Sequence, residues 1–248
     1  MRPIGFSTGA LAYGDFRQGL TALRGKHTAT VELSALREKE LAPLVNALDS
    51  LDLQGYTYIS VHAPSKFEKE QEKAIVDLLG TVASRGWRIV LHPDAIRDVV
   101  LWNSFGPLLL IENMDKRNIC GRTERELSDI FARLPEAGLC FDIGHCRQVD
   151  PTMNEAYLIL RAFGDRLRQL HVSEVNSRST HDPLSSAAID AFRAVSSLIP
   201  ENIPLILESP VREEDINREI ELARLALPVP PTSGRANTRA ASLRSAIA

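Results

Sequence analysis

Short apolar runs alternate eight times with longer amphipathic stretches along this chain, and few folds accept that rhythm. The runs are Ile4–Ser7, Thr30–Leu33, Tyr58–His62, Arg88–Leu91, Leu108–Ile111, Leu139–Phe141, Leu167–His171 and Leu205–Leu207. They are rich in Val, Ile, Leu and Phe and lack strict apolar–polar alternation. That is the pattern of parallel strands covered on their outer face by helices. Eight strand–helix units in 227 residues fit a single α/β domain, a (β/α)8 TIM barrel. A doubly wound open sheet is the alternative, but the chain has neither a GxGxxG nor a GxxxxGK[ST] phosphate turn. The reading is therefore one barrel over 1–227 and a flexible, disordered tail over 228–248.

The stretches between the runs read as helices. Segment 68–84 sets Ala74, Leu78 and Val82 on one stripe with charges opposite. Segment 123–134 opens Thr-x-x-Glu, a capping-box pattern. Segments 186–199 and 212–227 are also amphipathic, and the latter begins Arg-Glu-Glu-Asp, with acids where a helix N-terminus favours them. Pro3, Gly86, Gly138 and Pro204 stand just before strands, where the chain must reverse. The tail carries Arg235, Arg239 and Arg244 and reads as a solvated terminus.

Three cysteines, Cys120, Cys140 and Cys146, are too few for a disulfide scaffold. The start of the chain lacks a signal-peptide pattern, and no apolar run is long enough to span a membrane. The expectation is a soluble cytoplasmic protein. A net charge of −3 argues against a generic nucleic-acid binder while leaving room for a local basic patch.

Position makes the polar residues informative. Of six histidines, His62, His92 and His171 end apolar runs, His145 follows Asp142 by three residues, and His181 lies in the loop after the seventh run. Glu32, Glu112, Asp142 and Glu208 occupy the same kind of place. In a barrel all strand C-termini surround one mouth, so these groups converge. Four carboxylates in a partly desolvated mouth repel one another, and neutral imidazoles do not offset that charge. Either the carboxyls take up protons or cations neutralise them. Carboxylate oxygen with imidazole nitrogen is the usual ligand set of a divalent metal. The candidate ligands are Glu112, Asp142, His171, Glu208, His62, His92, His145 and His181, enough for one site and sufficient in number for two or three. His27 precedes the second run and takes no role.

The ordered motifs His-Ala-Pro at 62–64, His-Pro at 92–93, Glu-Asn at 112–113, Asp-Ile-Gly-His at 142–145, His-Val-Ser-Glu at 171–174 and Glu-Ser-Pro at 208–210 resemble the xylose isomerase-like barrel superfamily. That superfamily includes apurinic-site endonucleases and sugar isomerases and epimerases. Resemblance to the epimerase branch implies one ion, Mn2+ or a relative such as Zn2+, Co2+ or Mg2+, on Glu112, Asp142, His171 and Glu208. It also implies proton transfer by Glu112 and Glu208, with His145 on a substrate oxygen. Resemblance to the endonuclease branch implies three zinc ions. His62, His92 and Glu112 would hold the first, and Glu112, Asp142, His171 and Glu208 the second. His145 and His181 would hold the third, where Ser179 stands in place of an Asp. Glu174 likewise stands where an Asp is commoner.

The surroundings favour a small sugar-like substrate over nucleic acid. The loop after the third run, Ser-Lys-Phe-Glu-Lys-Glu, offers only Lys66 and Phe67 before acids begin. Lys66, Arg147 and Arg178 are candidate contacts for a substrate phosphate or carboxylate, and Glu32 a candidate substrate contact. The resulting expectation is a metal-dependent isomerase or epimerase of a small sugar, polyol or keto acid. A multi-metal phosphoesterase is the alternative, and a lyase or a non-catalytic binding barrel the remainder.

Overall fold

The computed structural model describes residues 2–229. The expected tail beyond Val229, with its three arginines, lies outside the described residues. Ten strands form among the described residues: β1 Ile4–Ser7, β2 Thr30–Ser34, β3 Tyr58–His62, β4 Arg88–Leu91, β5 Leu109–Glu112, β6 Gly138–Asp142, β7 Leu167–Val172, β8 Glu174–Val175, β9 His181–Asp182 and β10 Leu205–Leu207. β1 to β7 and β10 pair in sequence order, all in parallel, and β10 closes on β1. The chain is thus a (β/α)8 barrel. The sequence did not signal β8 and β9, a two-residue antiparallel hairpin in the loop after β7. No helix among the described residues is long and apolar enough to cross a membrane.

The strands alternate more strictly than their composition suggests. Ile4 and Phe6, Val31 and Leu33, Ile89 and Leu91, Leu109 and Ile111, Leu139 and Phe141, and Leu205 and Leu207 all join the core between barrel and helices. The intervening residues face the interior. There only Val90, Leu110 and Cys140 form an apolar cluster. Thr30, Glu32, Ser60, His62, Glu112, Asp142, Gln169 and His171 are buried polar residues. The interior positions are also close-packed. A Cβ on Gly5 would lie 1.7 Å from the Thr30 carbonyl oxygen, so β1 approaches β2 only with glycine there.

The helices follow the expected order with three local corrections. In Glu72–Ala83 the buried stripe is Ile75, Val76, Leu79 and Val82, whereas Ala74 faces solvent. At about 100° per residue, a stripe placed one residue early rotates off the core. At Thr123 the side chain caps Glu126 N as expected, but the Glu126 carboxylate accepts from Arg122 N, not Thr123 N. The 186–199 segment breaks into a helix Ser186–Arg193 and a single turn Ser196–Leu198.

Candidate metal centre

Strand register assembles the site. Asp142 on β6 lies beside His171 on β7, and β10 runs alongside β7 with Ile206 opposite His171. Glu112 ends β5 and His62 ends β3. All eight expected ligands come together at the C-terminal mouth of the barrel. Glu112 is the hub. Its Oε2 lies 3.1 Å from His62 Nε2, 3.4 Å from His92 Nε2 and 3.4 Å from His171 Nδ1, and its Oε1 lies 3.2 Å from His145 Nδ1. His171 Nδ1 is also 3.4 Å from Glu208 Oε2.

Two groups can each present ligand atoms within 4.8 Å of one another: His62, His92 and Glu112, and Glu112, Asp142, His171 and Glu208. Glu112 belongs to both. Burial is graded, from 0–2 % exposure at His171, Asp142, Glu112 and His62 to 20 % at His92 and 32 % at His181, which marks the open side.

Several ligands are held from behind. The Ala63 carbonyl accepts from His62 Nδ1 at 2.8 Å, which turns Nε2 toward Glu112. Asp142 caps the helix Ile143–Val149, its Oδ1 accepting from His145 N at 2.7 Å, so only Oδ2 faces the cluster. Asn113, visible in the sequence only as half of a Glu-Asn dipeptide, donates to the Asp142 carbonyl and accepts from Asp142 N, both at 2.8 Å. The Asn113 carbonyl in turn accepts from His145 Nδ1 at 3.0 Å. Gly144 lets this helix start against β7 and β8, because a Cβ there would sit 2.4 Å from the Ser173 carbonyl oxygen.

The donor set fits a cation. Asp142 Oδ2 and His171 Nδ1 are buried and lack a hydrogen-bond partner; Oδ2 lies 3.3 Å from His145 Nδ1, and His171 Nδ1 lies 3.4 Å from both Glu112 and Glu208. Such orphaned polar atoms are rare in folded proteins and call for a ligand. Hard carboxylate oxygens with imidazole nitrogens suit Zn2+, Mn2+, Co2+ or related divalent ions.

Without a cation, protons take that place. Burial alone would lower His62, but its hydrogen bond to Glu112 and the charges of Glu112 and Glu32 outweigh burial and raise it to about 9. His145 rises to about 10, because Asp142 and Glu112 overcome its burial. His171 is likewise raised. Glu112 is held well below the usual carboxylate range despite burial, by His171, His92 and His145. Glu208 goes the other way. Burial, with the charges of Glu112, Asp142 and Glu32, outweighs His171 and pushes it to about 8. His181 falls to about 4, chiefly through burial. Without a cation, His62, His145 and His171 are thus the groups favoured as counter-ions to the carboxylates, while His181 is not.

Four other expected residues sit elsewhere. Glu32 does not reach the opening. It is fully buried beneath His171, with Ser60 and Gln169 donating to its Oε2. Arg147 is paired with Glu174 at 2.8 Å, and the same carboxylate accepts from Ser185 N, which explains the Glu at that position. Lys66 and Arg178 are exposed on the rim loops, and neither has an ion-pair partner among the described residues. Ser179 has φ 57°, and its hydroxyl accepts from Gln148 Nε2 at 2.6 Å. The rings of His145 and His181 lie 5.4 Å apart. A third ligand group of the kind found around Glu112 is absent among the described residues. A separate groove of about 400 Å³, lined by Arg17, Arg24, Lys26 and Tyr56, contains none of these residues.

The profile described as xylose isomerase-like TIM barrel matches residues 29–226, and the chain belongs to that family. No curated protein matches the chain. Among solved structures it resembles endonuclease IV from Thermus thermophilus, with 19 % identity over 91 % of this chain and 98 % of that one and a TM-score of 0.59. It also resembles 3-keto-D-glucoside 4-epimerase from E. coli, with 12 % identity over 91 % and 99 % and a TM-score of 0.54. A third is a xylose isomerase-like TIM barrel protein from Mycobacterium smegmatis in complex with magnesium, with 12 % identity over 91 % and 97 % and a TM-score of 0.56. At these identities the likeness is one of fold.

Proposed function

We propose that the chain is a metal-dependent phosphoesterase that holds two divalent cations and acts on a small phosphorylated substrate. The observation that carries this reading is the sharing of Glu112 between two ligand groups. One carboxylate between two cation positions is the arrangement of two-metal hydrolases. When bound, such a pair supplies a hydroxide at neutral pH and neutralises charge on the phosphoryl oxygens. The chain's own residues do the rest. His62 and His92 hold one position, and Asp142, His171 and Glu208 the other. His181, on the open side, and the more buried His145 beside it contact the substrate oxygens, and Lys66 and Arg178 attract its charge from the rim.

A second reading is the isomerase or epimerase expected from the sequence, with Glu112 and Glu208 moving a proton. The self-sufficient group of Glu112, Asp142, His171 and Glu208 favours it, because that set needs neither His62 nor His92. One experiment separates the two. Purified protein is analysed for metal, then assayed with p-nitrophenyl phosphate, bis-p-nitrophenyl phosphate and a sugar phosphate panel, and with ketoses in D2O. About two ions per chain and chelator-sensitive phosphate release support the phosphoesterase. One ion and deuterium wash-in without phosphate release would overturn it in favour of the isomerase.

A further inference from the structure

We propose that Glu32 is the positioning residue of the metal centre, accepting the Nε2–H of His171 and so committing Nδ1 of that ring to the cation. The inference rests on the metal-centre reading above and deepens it.

Glu32 lies in the middle of β2, not at its end, and points into the barrel interior. Its carboxylate crosses to β7, where Oε1 lies 3.1 Å and Oε2 3.2 Å from His171 Nε2. The other donors around it are already committed. Ser60 Oγ donates to Oε2 at 3.0 Å and Gln169 Nε2 donates to the same oxygen at 2.7 Å. The Gln169 amide cannot turn over without loss, because Tyr58 donates its hydroxyl proton to Gln169 Oε1 at 2.8 Å. Gln169 Nε2 also lies 2.9 Å from His171 Nε2, a contact that is a hydrogen bond only when the ring proton sits on Nδ1, so the carboxylate and the amide compete for this nitrogen and the ring tautomer is what the test reads. On the far side of the ring, Nδ1 is buried without a hydrogen-bond partner. It faces Glu112 and Glu208, each 3.4 Å away.

A ring pinned at one nitrogen by a buried carboxylate, with the other nitrogen orphaned among ligand carboxylates, is a metal ligand oriented from behind. The carboxylate fixes tautomer and ring plane and raises the basicity of the coordinating nitrogen. Glu32 is fully buried, and its carboxylate is taken up by Ser60, Gln169 and His171, which favours a role acting through that ring. A purely structural role makes a different prediction. Loss of Glu32 would then weaken the whole fold, rather than one ion position.

The test titrates metal-free wild-type, Glu32→Gln and Glu32→Ala proteins with Zn2+ against a competing chelator, with thermal unfolding of each metal-free protein alongside. Glu32→Ala is expected to weaken one ion about 10–100-fold, as loss of such an outer carboxylate typically does, while the ion on His62 and His92 changes less than about threefold. Glu32→Gln keeps an acceptor for Nε2–H and weakens the same ion by a smaller factor. Tyr58→Phe, which frees the Gln169 amide to turn, weakens it least and keeps the proposal testable if Glu32→Ala does not fold. In zinc-loaded, 15N-histidine-labelled wild type, His171 is expected to carry its proton on Nε2.

Unchanged zinc affinity in Glu32→Gln and Tyr58→Phe, equal loss at both ions, or a His171 proton on Nδ1 would overturn the proposal. If wild type binds a single ion, the phosphoesterase reading fails. The Glu32 variants still decide this one at that remaining ion.

Discussion

The barrel has two buried regions built on opposite principles. Between barrel and helices, Phe6, Val31, Leu33, Leu79, Ile89, Leu139 and Leu207 form a continuous apolar layer with no side-chain hydrogen bonds to satisfy. Inside the barrel, Val90, Leu110 and Cys140 are a small apolar island beside Glu32, Gln169, His171, Glu112 and Asp142. TIM-barrel interiors are ordinarily filled with branched apolar residues. Here stability resides in the outer layer, whose members are interchangeable within limits of volume. Most interior polar groups have specified partners, and the interior continues the candidate metal centre downward from the mouth.

The largest effect expected from breaking this division is at its hub. Glu112→Gln removes the carboxylate common to both ligand groups, so metal analysis should find both ions lost or weakened. Phosphate release should fall by roughly 10³-fold or more. The metal-free protein should stay folded, because the imidazoles that Glu112 holds charged can release their protons. Leu79→Ala is the converse. It opens a cavity in the outer layer and should lower stability by about 2–5 kcal/mol while leaving metal content unchanged. If Leu79→Ala strips the ions, or Glu112→Gln unfolds the metal-free protein as readily, the two regions are not separable.

The outer layer was the legible part. Its members are Val, Ile, Leu and Phe on nearly every strand, so the eight runs locate the barrel strands to within one residue at each end. The inner face was harder to read. Each strand contributes only two or three inward residues, and many of these are Gly, Ser, Thr, Cys or Gln, which neither break an apolar run nor mark a site. The ligands stood out because they fall where runs end. Glu32 falls near such an end too, and from the sequence it reads as a substrate contact. Its partners Gln169 and His171 are 137 and 139 residues away, and no local pattern reports a hydrogen bond across a barrel. Ser179 was legible as a departure from the endonuclease pattern. In the structure it takes a left-handed turn and its hydroxyl accepts from Gln148.

The interior should also respond to pH in a way that the outer layer cannot. In the metal-free protein His62 and His145 titrate near 9 and 10, above the ordinary histidine value. A raised folded-state pKa gives stability that is complete below about 6.5 and is lost as pH rises through the folded value. Glu208, raised to about 8, adds in the same direction, because its ionisation disfavours the fold progressively up to that pH. The melting temperature of metal-free protein should therefore fall between about pH 6.5 and 10. Cations must displace these protons, so metal affinity should rise over that window and binding should release protons. Calorimetric titration in buffers of different ionisation enthalpy measures the release. A flat melting profile for metal-free protein, with no proton release, would mean that the imidazoles are neutral and the interior is not charge-balanced by them.

The smallest effect belongs to the rim, which neither region governs. Lys66 and Arg178 are exposed and have no ion-pair partner among the described residues, so their charge is screened by water and salt. Exposed charge interactions are worth up to about 1 kcal/mol, so Lys66→Ala or Arg178→Ala should raise KM by about fivefold or less and leave kcat unchanged. The effect should shrink further at high ionic strength. A loss in kcat instead would place the cation against the reacting phosphoryl group rather than on its approach. In that case the site would extend past His145 and His181 to include the rim loops, and the boundary between the polar interior and the surface would lie further out than the buried ligands indicate.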